Sequence, residues 1–301
     1  VDDLNIRPLD GPYGVVVTGR NAFEMNDGEL RRIADLLFHN RVLVLEDQEI
    51  DLASYVAFGR RWGEPVLLIA SKNRQAEFPE LIVQSNSTAV PNPVRNVANH
   101  WHCDSSYETV PATVTMLLGA KAPREGGQTL FADLVAAFED LSPSDQSRLQ
   151  SLHVRHAVSA ATPAADERIV RPEDLPPELN VGTTVPDPVV QPLVRVHPVT
   201  GRKALYGLGG SAFGIVGMDE AEGSRLIAEL KAHASQAKFV QQAKLLPGQI
   251  LMWDNFSVMH RATHIEYGDD PEQARLNYRI SVKGLPSFMD NVEAGSQPAT
   301  S

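Results

Sequence analysis

The sequence predicts a mainly β fold with flanking helices, and three observations carry that prediction. Apolar runs of strand length dominate the part of the chain that holds most of the histidines and arginines of interest. Helix signals, several with a capping residue, stand before and between those runs. At 301 residues with 43% hydrophobic content, the chain has the size of one large β unit and enough apolar material for a full core. One unit is therefore expected over residues 1–301, with residues 1–65 as a helix-and-strand cover.

In order, residues 4–18 read as short strands broken by Asp10-Gly11-Pro12. Asn26 and Glu29 form a capping pair for a helix through residue 39, with Leu30, Ile33, Leu36 and Leu37 on one stripe. Arg41 to Leu45 is a buried strand, and Asp51 caps a second helix that ends near Trp62, before Gly63-Glu64-Pro65. Residues 71–98 hold a strand, Leu81 to Gln84, and then a polar loop containing proline. Loops of this length commonly carry substrate contacts or act as lids. Ala112 to Gly119 is a near-continuous apolar strand, and Gly126-Gly127 turns the chain into Thr129-Leu130-Phe131.

Residues 134–152 read as helical, with Ser142-Pro143 as an N-cap and first-turn proline. From 153 to 194 the chain becomes rich in Pro, Ala and Asp with weak periodicity, which marks a partly irregular insert or lid; its Arg155, His156 and Arg168 read as surface residues. Strands at Leu193–His197 and Ala204–Tyr206 flank a hairpin tip at Pro198-Val199-Thr200-Gly201, where His197 reads as structural. A helix over 218–236 turns Leu226, Ile227, Leu230 and Ala234 inward, strands begin near 250 and 275, and the tail (288–301) reads as frayed.

The net charge of -11 argues against a phosphate-backbone partner, so no nucleic acid is expected. A single cysteine excludes an intrachain disulfide framework and is compatible with a reducing compartment. No secretory-type amino terminus and no apolar run long enough to span a bilayer are visible, so no membrane is expected and a cytoplasmic location is the default.

Chemistry concentrates at Asn99-His100-Trp101-His102-Cys103-Asp104-Ser105-Ser106-Tyr107. In a strand, residues two apart project to the same side, so His102 and Asp104 converge while Trp101 and Cys103 face the core. Nitrogen and oxygen donors of that kind suit a first-row divalent metal, and two histidines with one carboxylate form the facial triad of non-haem Fe(II) oxygenases. In a chain with nine histidines a His-x-Asp pair is weak on its own, the alternative being a surface histidine beside a carboxylate. Further along stands Gly248-Gln249-Ile250-Leu251-Met252-Trp253-Asp254-Asn255-Phe256-Ser257-Val258-Met259-His260-Arg261-Ala262, with Arg275 fifteen positions beyond His260 and then Arg279. On a strand from 275 to 283, Arg275, Asn277 and Arg279 share a face, and buried guanidinium groups call for anionic partners. As a residue type, Thr129 carries no site signal of its own.

Together with the Gly126-Gly127-Gln128-Thr129 and His197-Pro198-Val199-Thr200-Gly201 turns, these motifs resemble the taurine and 2,4-D dioxygenase (TauD/TfdA-like) family of Fe(II)- and 2-oxoglutarate-dependent oxygenases. The resemblance covers most of the chain. It implies a double-stranded β-helix (jelly roll, cupin-like) core, with His102, Asp104 and His260 as iron ligands. By the same resemblance Arg275 and Thr129 hold the distal carboxylate of 2-oxoglutarate, and Arg279 lies near the substrate or the metal-bound end of the cosubstrate, the alternative for Arg279 being a salt bridge to a protein carboxylate. The implied cofactors are Fe(II), 2-oxoglutarate and O2. The implied reaction oxidises an unactivated C–H bond of a small organic acid, most simply by hydroxylation, releasing succinate and CO2. Asp104 favours hydroxylation over halogenation, since halogenating relatives lack that carboxylate.

Ser106, Tyr107 and His264 are the substrate candidates, Ser106 because it continues the face of Asp104 and His264 because it lies four residues after His260 on a continued strand. Relatives form dimers or tetramers, so a homo-oligomer is expected by analogy. The competing readings are an anion- and metal-binding jelly roll without turnover, a zinc hydrolase, and the same oxygenase chemistry used for desaturation or group removal in natural-product metabolism.

Overall fold

The computed structural model describes residues 4–67, 74–88, 99–157 and 187–289. Strands β1 (Asn5–Pro8) and β2 (Val15–Thr18) lead into helix α1 (Asp27–Asn40), then β3 (Val42–Leu45), α2 (Leu52–Trp62), β4 (Glu64–Pro65) and β5 (Ile82–Ser85). β6 (Ala112–Lys121) and β7 (Gln128–Asp133) precede α3 (Leu134–Glu139) and α4 (Pro143–Leu149). Then come β8 (His153–His156), β9 (Val189–Pro192), β10 (Val194–Val196), β11 (Lys203–Leu205) and β12 (Ala212–Ile215). α5 (Glu220–Ala234), β13 (Val240–Lys244), β14 (Ile250–Asp254), β15 (Val258–Ala262) and β16 (Leu276–Lys283) complete the order.

An eight-stranded sheet runs β1-β2-β3-β14-β6-β16-β4, with β5 also on β16, and a three-stranded sheet runs β13-β7-β15. Side-chain alternation divides the interior into layers. Leu43, Leu45, Val114, Met116, Ile250, Met252, Ile280 and Val282 pack with Leu30, Ile33, Tyr55 and Trp62 of α1 and α2. Their neighbours Val42, Val44, Leu117, Leu251 and Trp253 instead meet Phe131, Ala243 and Val258 of the smaller sheet. That smaller sheet is backed by α3, α5 and the β10-β11 hairpin. Two sheets facing each other across a filled interior, with helices outside, make the jelly-roll core that the resemblance implies.

The caps form as expected. Asn26 Oδ1 accepts from Glu29 N at 3.1 Å while Glu29 Oε2 accepts from Asn26 N at 2.9 Å, and Asp51 Oδ1 accepts from Ser54 N at 2.7 Å. Other expectations need correction. The single helix over 134–152 is two, because Ser142 caps a fresh start by accepting from Asp145 N, with Pro143 at the first position. β12 and β13 were not anticipated; Val240-Gln241-Gln242-Ala243-Lys244 is too polar to read as a strand, yet Gln241 and Ala243 point inward. The insert is less irregular than expected at its ends, since β8 pairs with both β9 and β12; residues 158–186 and Arg168 lie outside the described residues. His156 is buried rather than superficial.

The tail is not frayed from 288. Phe288 and Met289 are buried, with Phe288 edge-on to Trp62 at 5.4 Å and its carbonyl accepting from Arg31 Nη2 at 2.7 Å. Among the described residues no helix is long and apolar enough to cross a membrane.

Candidate active site

His260 stands in the middle of β15, whose register with β7 sets it opposite Phe131. Paired residues share a face, so His260 points into the interior between the sheets, and Thr129, opposite Ala262, lies on that same face. His102 reaches His260 by an isolated antiparallel bridge: His102 N donates to His260 O at 3.0 Å and His260 N to His102 O at 2.8 Å. The two imidazole rings lie 4.2 Å apart. Asp104 joins them, its Oδ1 3.6 Å from both His102 Nε2 and His260 Nε2. Ligand atoms of His102, Asp104 and His260 all lie within 4.8 Å of one another.

The chain around Asp104 is not the strand that the sequence suggests. His102 is paired singly, residues 104–107 form a turn, and Ser105 takes a left-handed φ of 53°. The alternation therefore holds from Trp101 to Asp104 and fails beyond it. Trp101 packs against and Cys103 lies within the core behind the small sheet, as expected. The turn at Ser105 removes the strand face that Ser106 was expected to share with Asp104; Ser106 is 1% exposed, and its hydroxyl has no partner among the described residues. Tyr107 is half-buried, and burial first, then Glu108, pushes its phenol up to about 12. His264 lies beyond the end of β15, exposed and 3.6 Å from Glu266, so it does not share the face of His260 by strand alternation.

A glycine-rich segment that the sequence reading passed over presses on the other side. A Cβ at Gly209 would stand 1.9 Å from Trp101 O, and one at Gly210 would stand 2.9 Å from His100 Nε2. Only glycine permits that approach. His197, as expected, is structural: its Nδ1 accepts from Val199 N and Thr200 N at 3.1 Å each, while Nε2 lies 3.2 Å from Asp254 Oδ2. It ties the β10-β11 hairpin to the turn just before β15.

The donor set fits a divalent metal. His102 Nδ1 meets His100 O at 2.9 Å, and because a carbonyl only accepts, that nitrogen carries the proton and Nε2 keeps its lone pair. Burial lowers the pKa of both His102 and His260, and it outweighs the opposing pull of Asp104. Burial would raise the Asp104 carboxyl, but Arg279, the two histidines and the Thr115 hydroxyl outweigh it and hold the group well below the usual carboxylate range. A neutral imidazole lone pair thus faces a carboxylate oxygen with no proton to bond them, an arrangement that a cation resolves.

Arg279 Nη2 meets Asp104 Oδ1 at 2.7 Å and donates to Ser281 Oγ at 3.1 Å. Arg279, Asn277 and Ser281 all lie on the inner side of β16, opposite Ile280 and Val282. Arg275 immediately precedes the strand; its backbone N–H donates to Asn86 Oδ1 at 2.7 Å. Asn86 also donates to Glu266 O at 3.0 Å and Gln273 O at 2.7 Å, so it holds this loop in place, a role no local signal reveals. Burial lowers the pKa of the Arg275 guanidinium, and its Nε is buried without a partner among the described residues, as are Arg279 Nε and Asn277 Oδ1. Buried polar atoms are normally paired, so such a group of unpaired ones marks where a ligand belongs. Of the loop at 71–98, residues 71–73 and 89–98 lie outside the described residues.

Comparison with known proteins agrees with this geometry. The taurine catabolism dioxygenase TauD, TfdA family matches residues 5–280. An (S)-phenoxypropionate/alpha-ketoglutarate-dioxygenase of Sphingobium herbicidovorans is 30% identical over 293 residues, 94% of this chain and 96% of that protein. An alpha-ketoglutarate-dependent 2,4-dichlorophenoxyacetate dioxygenase of Cupriavidus pinatubonensis is 33% identical over 248 residues, 77% of this chain and 82% of that protein. Among solved structures, a taurine dioxygenase from Burkholderia xenovorans superposes with a TM-score of 0.74 at 25% identity, covering 94% of this chain and 92% of that one.

Proposed function

From the premise that this chain belongs to the taurine catabolism dioxygenase TauD, TfdA family, and is therefore an Fe(II)- and 2-oxoglutarate-dependent dioxygenase, we propose that His102, Asp104 and His260 hold its iron. The observation that carries this is the convergence of two imidazole nitrogens on Asp104 Oδ1, at 3.6 Å each, in a buried site. Bound iron and 2-oxoglutarate supply the oxidative chemistry, in which decarboxylation of the cosubstrate to succinate and CO2 activates dioxygen for attack on a substrate C–H bond.

The chain's own residues orient and select. Arg275, whose buried Nε has no partner among the described residues, takes the distal carboxylate of 2-oxoglutarate, assisted by Thr129 from the face it shares with His260. Charge then selects the substrate. Two guanidinium groups and a divalent iron face one protein carboxylate and a doubly charged cosubstrate, so the site lacks one negative charge. A small organic acid with a single anionic group supplies it beside Arg279, and the outcome that asks least of the site is hydroxylation. Phenoxyalkanoates, named for two of the relatives, are the first acids to screen.

The test is anaerobic addition of Fe(II) and 2-oxoglutarate to metal-free protein, followed by a screen of small acids for succinate release. A visible charge-transfer band from the chelated cosubstrate is expected. A folded, iron-loaded protein without the band would return the site to anion binding without turnover.

A further inference from the structure

Asp104 is the one proposed ligand with two donor atoms, and the surrounding hydrogen bonds treat them differently. Oδ1 faces both histidines and Arg279. Oδ2 receives the hydroxyl of Thr115 at 2.6 Å. Thr115 is fully buried in the middle of β6, opposite Trp253 of β14 on one side and Ser281 of β16 on the other. A single row across three adjacent strands therefore ends on the carboxylate.

The direction of every proton in that row is settled by residue type. A carboxylate only accepts, so Thr115 commits its one proton to Asp104. Groups meeting Thr115 Oγ1 must then donate to it: Asn255 Nδ2 at 2.9 Å and Ser281 Oγ at 2.9 Å. The amide orientation of Asn255 is fixed independently, because its Oδ1 accepts from two obligate donors, Trp253 Nε1 at 3.1 Å and Asp104 N at 3.4 Å. Ser281, having given its proton to Thr115, accepts from Arg279 Nη2 at 3.1 Å. Trp253, Asn255, Ser281 and Thr115 are thus polarised in one sense toward Oδ2, and chains of this kind strengthen their last bond.

We infer that Thr115 is a positioning residue whose committed proton holds Oδ2 back and leaves Oδ1 as the sole oxygen offered to the metal. This rests on the reading of Asp104 as an iron ligand. Its consequence is one of coordination number. His102, Asp104 and His260 would hold the ion through one atom each, and the places they leave would be needed for the cosubstrate and dioxygen. A carboxylate swinging to bind through both oxygens would take one of them. Loss of a group that orients a ligand in this way commonly costs about 10- to 100-fold in metal affinity.

The test uses Thr115→Val, which keeps the shape and removes the hydroxyl, and Thr115→Ser, which restores it. Both are checked for folding by circular dichroism and titrated with Fe(II) under anaerobic conditions, alone and with 2-oxoglutarate. Thr115→Val is expected to weaken Fe(II) binding by about 10- to 100-fold and to move the charge-transfer band. Thr115→Ser should bind as tightly as the parent, with the band in place. Should Thr115→Val not fold, Ser281→Ala removes one of the two donors that polarise the Thr115 hydroxyl toward Oδ2, and a smaller loss of about threefold is expected.

A folded Thr115→Val protein with parental affinity and an unmoved band would overturn the inference, as would Thr115→Ser binding as weakly as Thr115→Val, or Ser281→Ala binding unchanged. A parent protein that binds no Fe(II) would instead overturn the metal-site reading, so the two failures are distinct.

Discussion

The two faces of the large sheet come from the same strands and are built on opposite principles. Toward α1 and α2, β6 and β16 present Val114, Met116, Leu118, Ile280 and Val282, and the face is wholly apolar. Toward the smaller sheet the same strands present Thr115, Asn277, Arg279 and Ser281, and of these polar groups Thr115 and Arg279 meet Asp104. Alternation with a period of two lets one strand do both. The apolar face contributes stability at about 25 cal/mol per Å2 removed from water. The polar face costs stability unless each group finds a partner, and its unpaired atoms are those a ligand would satisfy.

Substitutions on the two faces should therefore separate stability from binding. Asp104→Ala, on the polar face, is expected to abolish tight iron binding and turnover, and to destabilise the metal-free fold by about 3 kcal/mol because it leaves Arg279 buried without its partner. Iron titration and urea unfolding measure the two effects, and full turnover in the variant would remove Asp104 from the ligand set. Ile280→Ala, one residue from Arg279 but on the other face, should cost about 3 to 4 kcal/mol in urea unfolding and leave iron affinity unchanged. Ile280 fills the space over Gly59, where a Cβ would come within 2.6 Å of its Cδ1. A changed iron affinity in that variant would show that the faces are coupled.

Arg275→Ala should weaken 2-oxoglutarate binding by about 3 kcal/mol, roughly two decades, in a titration of the charge-transfer band, with metal affinity retained. Equal cosubstrate affinity would reassign the carboxylate to another group. The smallest effect concerns a buried polar group away from the polar face.

His156 is fully buried with neither ring nitrogen partnered among the described residues, and burial, aided by Arg195, pushes its imidazole down to about 4 from the ordinary 6.5. Between those values the unfolded chain holds a proton that the folded chain does not, so stability falls as pH drops below 6.5. From pH 7 to pH 5 the His156 contribution to that loss is about 2 kcal/mol, which His156→Gln should remove. Urea melts of both proteins at the two pH values measure it, and parallel losses would rule His156 out.

Local features were legible where the signal spans a few residues. The caps at Asn26 and Asp51, the apolar strands β3 and β6, and the turn at Gly126-Gly127 all appear close to where residue type set them. Strand β13 escaped because its inward residues include Gln241, whose amide serves the backbone of Asp10 at 2.7 Å, a partner 231 positions away. The Ser106 argument failed for a conformational reason: alternation assumes extended backbone, and Ser105 leaves it.

The sequence by itself determined which donors exist and which short segments carry them: an imidazole and a carboxylate two apart, a second imidazole before an arginine, and residues able to cap, turn or alternate. Tertiary structure alone decided that His102 bridges to His260, that Arg279 meets Asp104, and that Trp253, Thr115 and Ser281 form one row. The physical reason is range. Capping, turn and alternation energies act over a few bonds and can be read from neighbours, whereas strand register is a property of two distant segments and of the core that aligns them.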